Sequence, residues 1–146
     1  MRLFLAFVAL LLVSCGAPKT LQVRQFHLQD TDPSDGHPFI RAEMNRRLYG
    51  AVTLAERTLR KGNYYHLRWR GLRGDQPVRV VLEYRQARTG ARVRMKEKVM
   101  KAARRGDCEI VVSGREYLRD GHVQSWRVTL YDGEKLVAKK QSYLWE

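Results

Sequence analysis

The stretch Val78-Arg79-Val80-Val81-Leu82-Glu83-Tyr84 is the cleanest period-two run of the chain. Successive side chains of an extended backbone point to opposite faces, so Val78, Val80, Leu82 and Tyr84 share one side, and the run predicts a strand with a buried face. Thr89-Gly90 follows as a candidate two-residue turn. Pairing across it sets Tyr84 opposite Met95, Val80 opposite Val99 and Glu83 opposite Lys96. The same register leaves Leu82 against Glu97 and Arg85 against Arg94, two pairings without physical merit, and a longer loop with a shifted register is the alternative.

Working toward the C-terminus, Asp120-Gly121 and Asp132-Gly133 read as hairpin turns, because a turn twisted like its strands needs positive φ, which glycine and aspartate tolerate. They would separate strands near 108–118, 122–131 and 135–145, aligning Val111, Val128 and Val137 with Trp126 and Leu130 beside them. Tyr143-Leu144-Trp145 is apolar enough for a core strand. In the other direction, Tyr65, Leu67 and Trp69 share a strand face, with Arg68 and Arg70 on the other side. Ile40, Ala42, Met44 and Leu48 fall on one parity, which predicts a half-buried strand from Phe39 to about Tyr49. Thr53-Leu54-Ala55-Glu56 is a capping-box pattern and Gly62 a stop signal, predicting one short helix over 54–61, with a long bent strand as the competing reading. Residues 21–29 alternate weakly and suit either an edge strand or a tether, and 30–38, with two prolines, a glycine and three aspartates, read as a loop.

The expected fold is mainly β: an antiparallel β-sandwich of about seven or eight strands over residues 39–146, with Trp69, Leu82 and Val128 in one core and a small β-barrel as the alternative. An aromatic strand carrying Trp69 before a hairpin-rich second half resembles immunoglobulin and fibronectin type III sandwiches, although the paired cysteines of antibody domains are absent. Such a resemblance implies an architecture and no activity.

At the N-terminus, Arg2 precedes an apolar run from Leu3 to Val13, about 11 residues against the roughly 20 of a membrane-spanning helix. The run ends in Leu12-Val13-Ser14-Cys15, which resembles the lipobox of bacterial lipoproteins. That resemblance implies that residues 1–14 are a signal peptide and that Cys15 is the acylated first residue of the mature chain, with 15–38 as lipidated N-terminus, tether and candidate edge strand. Several acyl chains on one residue hold a protein stably on a membrane without spanning it. Gly16 stands where an Asp usually retains lipoproteins at the inner membrane, so in a two-membrane cell the periplasmic side of the outer membrane is the expected address. An ordinary secretory signal cut after Ser14 or Ala17 is the competing reading. With Cys15 carrying lipid, Cys108 has no partner for an intrachain disulfide, and its place before Ile110-Val111-Val112 marks it as buried and inert.

The formal charge is +13 and lies downstream of Met44. Twenty of the 28 cations are arginine, which favours bidentate contact with phosphate or carboxylate. Arg92, Arg94, Lys96, Lys98, Lys101, Arg104 and Arg105, interrupted only by Glu97, form a candidate anion-binding patch, the first four thrown onto one strand face by alternation. Its expected partners are an anionic envelope polymer, lipid headgroups or a partner protein. Aromatics are not interleaved there, which argues against a single-stranded nucleic-acid platform. The competing reading is a solvated face kept charged against edge pairing. His27, His37, His66 and His122 show no metal-ligand spacing, and only His66, beside strand arginines, stays a candidate. Phosphate-loop, metalloprotease, Gly-x-Ser-x-Gly and Cys-x-x-Cys motifs are absent. The chain therefore reads as a lipid-anchored, non-enzymatic binding or adaptor module without cofactor. The alternatives are a structural envelope protein associating through edge strands and, behind it, an enzyme of unrecognised type.

Overall fold

The computed structural model describes residues 20–29 and 37–146. Residues 1–19, with the expected signal peptide and Cys15, and residues 30–36, expected as part of a loop, lie outside the described residues. Seven strands, β1 (Thr20–Leu28), β2 (Gly62–Arg70), β3 (Val78–Gln86), β4 (Arg94–Met100), β5 (Arg105–Ser113), β6 (Val123–Asp132) and β7 (Lys135–Gln141), build two antiparallel sheets of order β1-β2-β5 and β4-β3-β6-β7. Neither sheet closes into a barrel. Three short helices complete the described chain: α1 (Pro38–Leu48), α2 (Leu54–Arg60) and α3 (Gly114–Asp120).

The inner faces interdigitate in one core. Tyr65, Leu67, Trp69, Cys108, Ile110 and Val112 come from the three-stranded sheet, and Val78, Val80, Leu82, Tyr84, Val128 and Leu130 from the four-stranded one. The period-two run of β3 is thus the centre of its sheet, paired on both sides. Gly106 lets β5 pass over the Trp69 indole, since a Cβ there would lie 2.6 Å from the ring. Gly62, expected to end a helix, opens β2 instead, and a Cβ on it would lie 2.3 Å from the Val112 carbonyl oxygen.

The capping box forms as the sequence implies: the Thr53 hydroxyl accepts from Glu56 N at 3.1 Å and the Glu56 carboxylate accepts from Thr53 N at 2.9 Å. By contrast, the expected strand at 39–49 is the helix α1. Ile40, Met44 and Leu48 share one parity, but their spacing of four also places them on one helical face. Pro38 at the first helical turn, together with Glu43 bonded to both Arg46 and Arg47, selects the helix. Met44 buries against Leu28 and Tyr64 on the outer face of the three-stranded sheet.

Three further expectations are corrected. Strand β4 pairs one residue away from the simple hairpin register, with Tyr84 opposite Arg94, Leu82 opposite Lys96 and Val80 opposite Lys98, around a longer loop. Asp120-Gly121 is no hairpin turn: it ends α3, Gly121 taking φ +84°, and the helix carries the chain from one sheet to the other. Val111 therefore sits on β5, in the opposite sheet from Val128 and Val137. The β6–β7 hairpin does turn at Gly133-Glu134, with Asp132 opposite Lys135. Finally, Tyr143-Leu144-Trp145 forms no strand; Trp145 folds back and is buried beneath the guanidinium groups of Arg85 and Arg127 at 4.4 and 5.1 Å, while Tyr143 is 97% exposed.

Candidate anion-binding surface

The cationic run expected from sequence divides into two parts with different surroundings. Arg94, Lys96 and Lys98 do share a face of β4, but it is the inner one. They reach across the open flank of the sandwich to β5 and α3. The Lys96 ammonium donates to the Val111 carbonyl at 2.7 Å and pairs with Glu116 at 2.9 Å. Lys98 donates to the Glu109 carbonyl at 3.3 Å, and Arg94 pairs with Asp120 at 2.8 Å and Glu116 at 3.4 Å. Burial pushes the Glu116 carboxyl up, but hydrogen bonds from Tyr84 and Lys96 outweigh it and hold the group below its ordinary value. Lys96 and Lys98 thus satisfy edge carbonyls of β5, and with Arg94 they cover the flank where two sheet edges meet. The apolar alternates Met95 and Val99 point outward instead, 62% and 59% exposed, and Glu97 between them finds Arg79 at 3.7 Å. Arg92 lies in the loop before β4.

Lys101, Arg104 and Arg105 stay exposed, at the other end of β4. There they join cations that the linear sequence holds far apart. On the outer face of the three-stranded sheet, cross-strand register sets Thr20, Arg70 and Arg105 in one row, Gln22, Arg68 and Asp107 in the next, and Arg24, His66 and Glu109 in the third. The fourth row, Phe26, Tyr64 and Val111, is apolar and packs against α1. Half the face is therefore covered, and the other half is open and basic.

Glu109 does not neutralise the open half. Its carboxylate is taken by Arg47 of α1, which also pairs with Glu43 at 2.7 Å and lies 4.2 Å over the Tyr64 ring. Arg46 and Arg47 hold the Glu43 carboxyl down at about 2. Arg70, itself exposed, gives its Nε–H to the Thr20 hydroxyl at 2.8 Å, which orients the guanidinium. Among the described residues, no salt bridge joins Arg24, Arg68, Arg70 or Arg105 to an acid. Thr20, Gln22, Arg68, Arg70, Arg105 and Asp107 line a groove of about 500 Å³ at this end.

The neighbouring loops extend the charge and are held in place. Leu72 N donates to the Arg104 carbonyl at 3.0 Å, Arg104 Nε to the Arg73 carbonyl at 3.3 Å, and Arg73 N to the buried Asp132 carboxylate at 3.1 Å. Gly74, at φ +84°, makes the tight turn that this arrangement needs. The arginines on either side are thereby presented on ordered backbone, a geometry suited to planar oxyanions.

No protein-family model, curated protein or solved structure matches this chain. The site must therefore be read from its own chemistry. Among the described residues, no group of three or more His, Cys, Asp and Glu side chains is placed to hold a metal ion, and no helix is long and apolar enough to cross a membrane. The histidines are less scattered than in sequence: His27 and His122 rings lie 5.8 Å apart, and His27 Nε2 is 2.6 Å from the Tyr117 hydroxyl. Burial, and then His122, lowers the His27 pKa. His66 stands on the basic face between Arg24 and Glu109 in register. Cys108 is buried in the core, and burial pushes its thiol up to about 11, leaving it protonated at neutral pH.

Sequence reasoning missed Arg24, Arg68 and Arg70 as members of the site. Part of the signal was present, since Arg68 and Arg70 alternate with Leu67 and Trp69 and must face outward. What brings Arg24 and Arg105 beside them is the pairing of β2 with β1 and β5, which no local pattern specifies.

Proposed function

We propose that this chain is a lipid-anchored protein of the bacterial cell envelope, on the periplasmic side of the outer membrane where the host has two membranes. There it acts as a non-enzymatic binding module that engages an anionic component through the outer face of its three-stranded sheet. The observation that carries the reading is the cross-strand pair Arg70–Arg105. Like charges directly opposite each other on a sheet are destabilising, and this pair lacks an acid in its own row. An anion with two or more oxygens would relieve that repulsion and gain bidentate contacts. The anchor rests on the lipobox Leu12-Val13-Ser14-Cys15.

The likeness to immunoglobulin-type sandwiches is supported by strand order. A fourth strand beside the third, in the sheet that also holds the last two, has the place of C′ in the variable-type arrangement. Association through edge strands, the competing structural reading, loses support on the β4–β5 flank, where Arg94, Lys96 and Lys98 occupy the edge.

Two measurements test the proposal. Growth with a labelled fatty acid should label the wild-type protein and not Cys15→Ala, and an unlabelled wild type removes the anchor. Reversal of Arg70 and Arg105 to Glu should weaken salt-sensitive association with isolated envelope material without unfolding the protein. Association indifferent to both salt and reversal removes the basic-face reading.

A further inference from the structure

We infer that the basic end of the sandwich docks on the phosphate headgroups of the same leaflet that holds its lipid anchor. This rests on the anchored-module reading and adds the ligand and the orientation of the domain. The first argument is where the chain enters the fold. Thr20, the first residue of β1, stands in the row of Arg70 and Arg105 and is hydrogen-bonded to Arg70. Five peptide units separate it from Cys15, and a chain of that length spans at most about 18 Å. The sheet end carrying Arg70 and Arg105 is thus the end that the anchor keeps near the membrane, while α2 and α3 lie toward the opposite end, where Gly62 pairs with Ser113.

Charge gives the second argument. The β2–β3 loop adds Arg73 at that end and the β4–β5 loop adds Lys101 and Arg104, all exposed, against the exposed acids Asp75, Asp107 and Glu134. Cations near an anionic leaflet each contribute about a fivefold gain in affinity, and the attraction decays over a Debye length of about 10 Å. A short tether is what brings these side chains into that range. It also converts a weak surface attraction into an intramolecular one with a high effective concentration, so a modest cluster suffices. Guanidinium groups suit phosphodiesters, each offering two parallel donors to two oxygens. Arg24, His66 and Arg68 continue the basic surface up the sheet face, so the domain leans on the leaflet with its three-stranded sheet and leaves the four-stranded sheet free.

The test uses the full chain, expressed in a bacterium, extracted in a neutral detergent and reconstituted into vesicles of phosphatidylcholine alone or mixed with phosphatidylglycerol. An arginine-directed dicarbonyl reagent is applied and modified residues are read by mass spectrometry. Arg115, exposed on α3, serves as the internal standard. The expected result is severalfold slower modification of Arg70 and Arg105 on the mixed vesicles only, abolished by high salt. Equal rates on both vesicle types overturn the inference. If an inorganic polyphosphate added to protein in neutral vesicles protects the same arginines while anionic vesicles do not, the module binds an anion other than its own leaflet; the inference falls and the binding reading stands. If neither protects them, both fall.

Discussion

Two clusters of basic side chains lie on this sandwich, and they differ in what surrounds them. Arg94, Lys96 and Lys98 are consecutive on one face of one strand, yet they are occupied by Glu116, Asp120 and two β5 carbonyls. Arg24, Arg68, Arg70 and Arg105 come from three strands and make no salt bridge among the described residues, although two acids, Asp107 and Glu109, lie in their rows. Of those acids, Glu109 is taken by Arg47. Density of cations in sequence therefore does not identify a binding surface. The distinguishing property is whether the fold has already supplied the counter-charges. A cation that satisfies an edge carbonyl stabilises the protein, whereas a cation without a counter-charge costs a little stability by repulsion and remains available to a ligand.

The largest effect should come from the residue beneath the open cluster. Trp69→Ala removes a core indole on the strand that carries Arg68 and Arg70, and is expected to destabilise by about 3 to 5 kcal/mol in chemical denaturation. A loss of less than about 1 kcal/mol would mean that the core assignment is wrong. Next is Glu116→Ala, which strips Arg94, Lys96 and the Tyr84 hydroxyl of a shared acceptor. About 2 kcal/mol is expected, below the cost of breaking a fully buried pair because the site is partly exposed. Lys96→Ala should follow at about 1 to 2 kcal/mol, as a charged hydrogen bond is lost. If Glu116→Ala and Lys96→Ala leave the melting temperature unchanged, the two clusters do not differ in kind.

Acid sharpens the contrast on the covered half of the sheet face. The Glu43 carboxyl is held at about 2 against 4.5 for a free glutamate, by its hydrogen bonds to Arg46 and Arg47. A depressed folded-state value means that its stabilisation is fully present above about 4.5 and is lost as pH falls through about 2. Amide exchange in α1 is expected to rise over that window in the wild type, and Glu43→Gln should flatten the dependence. The smallest effect on stability belongs to the open cluster itself: Arg68→Ala and Arg105→Ala should each stay within about half a kcal/mol while lowering association with anionic surfaces. A loss of several kcal/mol from either would mark the open cluster as structural too.

Much of the fold was legible because it is written in short-range patterns. The period-two run at Val78–Tyr84, the Thr53–Glu56 box and the Gly133 turn each satisfy themselves within a few residues, and each forms where its pattern lies. Misreadings arose where a local pattern is degenerate. Ile40, Met44 and Leu48 obey both a two-residue and a four-residue period, and the choice falls to Pro38, the bonds of Glu43 to Arg46 and Arg47, and the docking of Met44 on Leu28 and Tyr64. At Asp120-Gly121, a glycine with positive φ serves a helix end as well as it serves a hairpin. On β4 the apolar residues face out and the cations face in, because the strand lies at an edge where charge excludes further pairing, so alternation reported a face correctly and its direction wrongly.

By itself the sequence determined the β-rich class, the membership of Trp69, Leu82 and Val128 in one core and the excess of arginine. The tertiary structure decided which arginines meet an acid among the described residues and which do not. That decision depends on strand pairing between residues far apart in the chain, such as Arg24 with His66 and Arg70 with Arg105. Pairing at that range is set by how whole sheets bury their inner faces, and the outward side chains that meet as a result follow from it without any signal of their own.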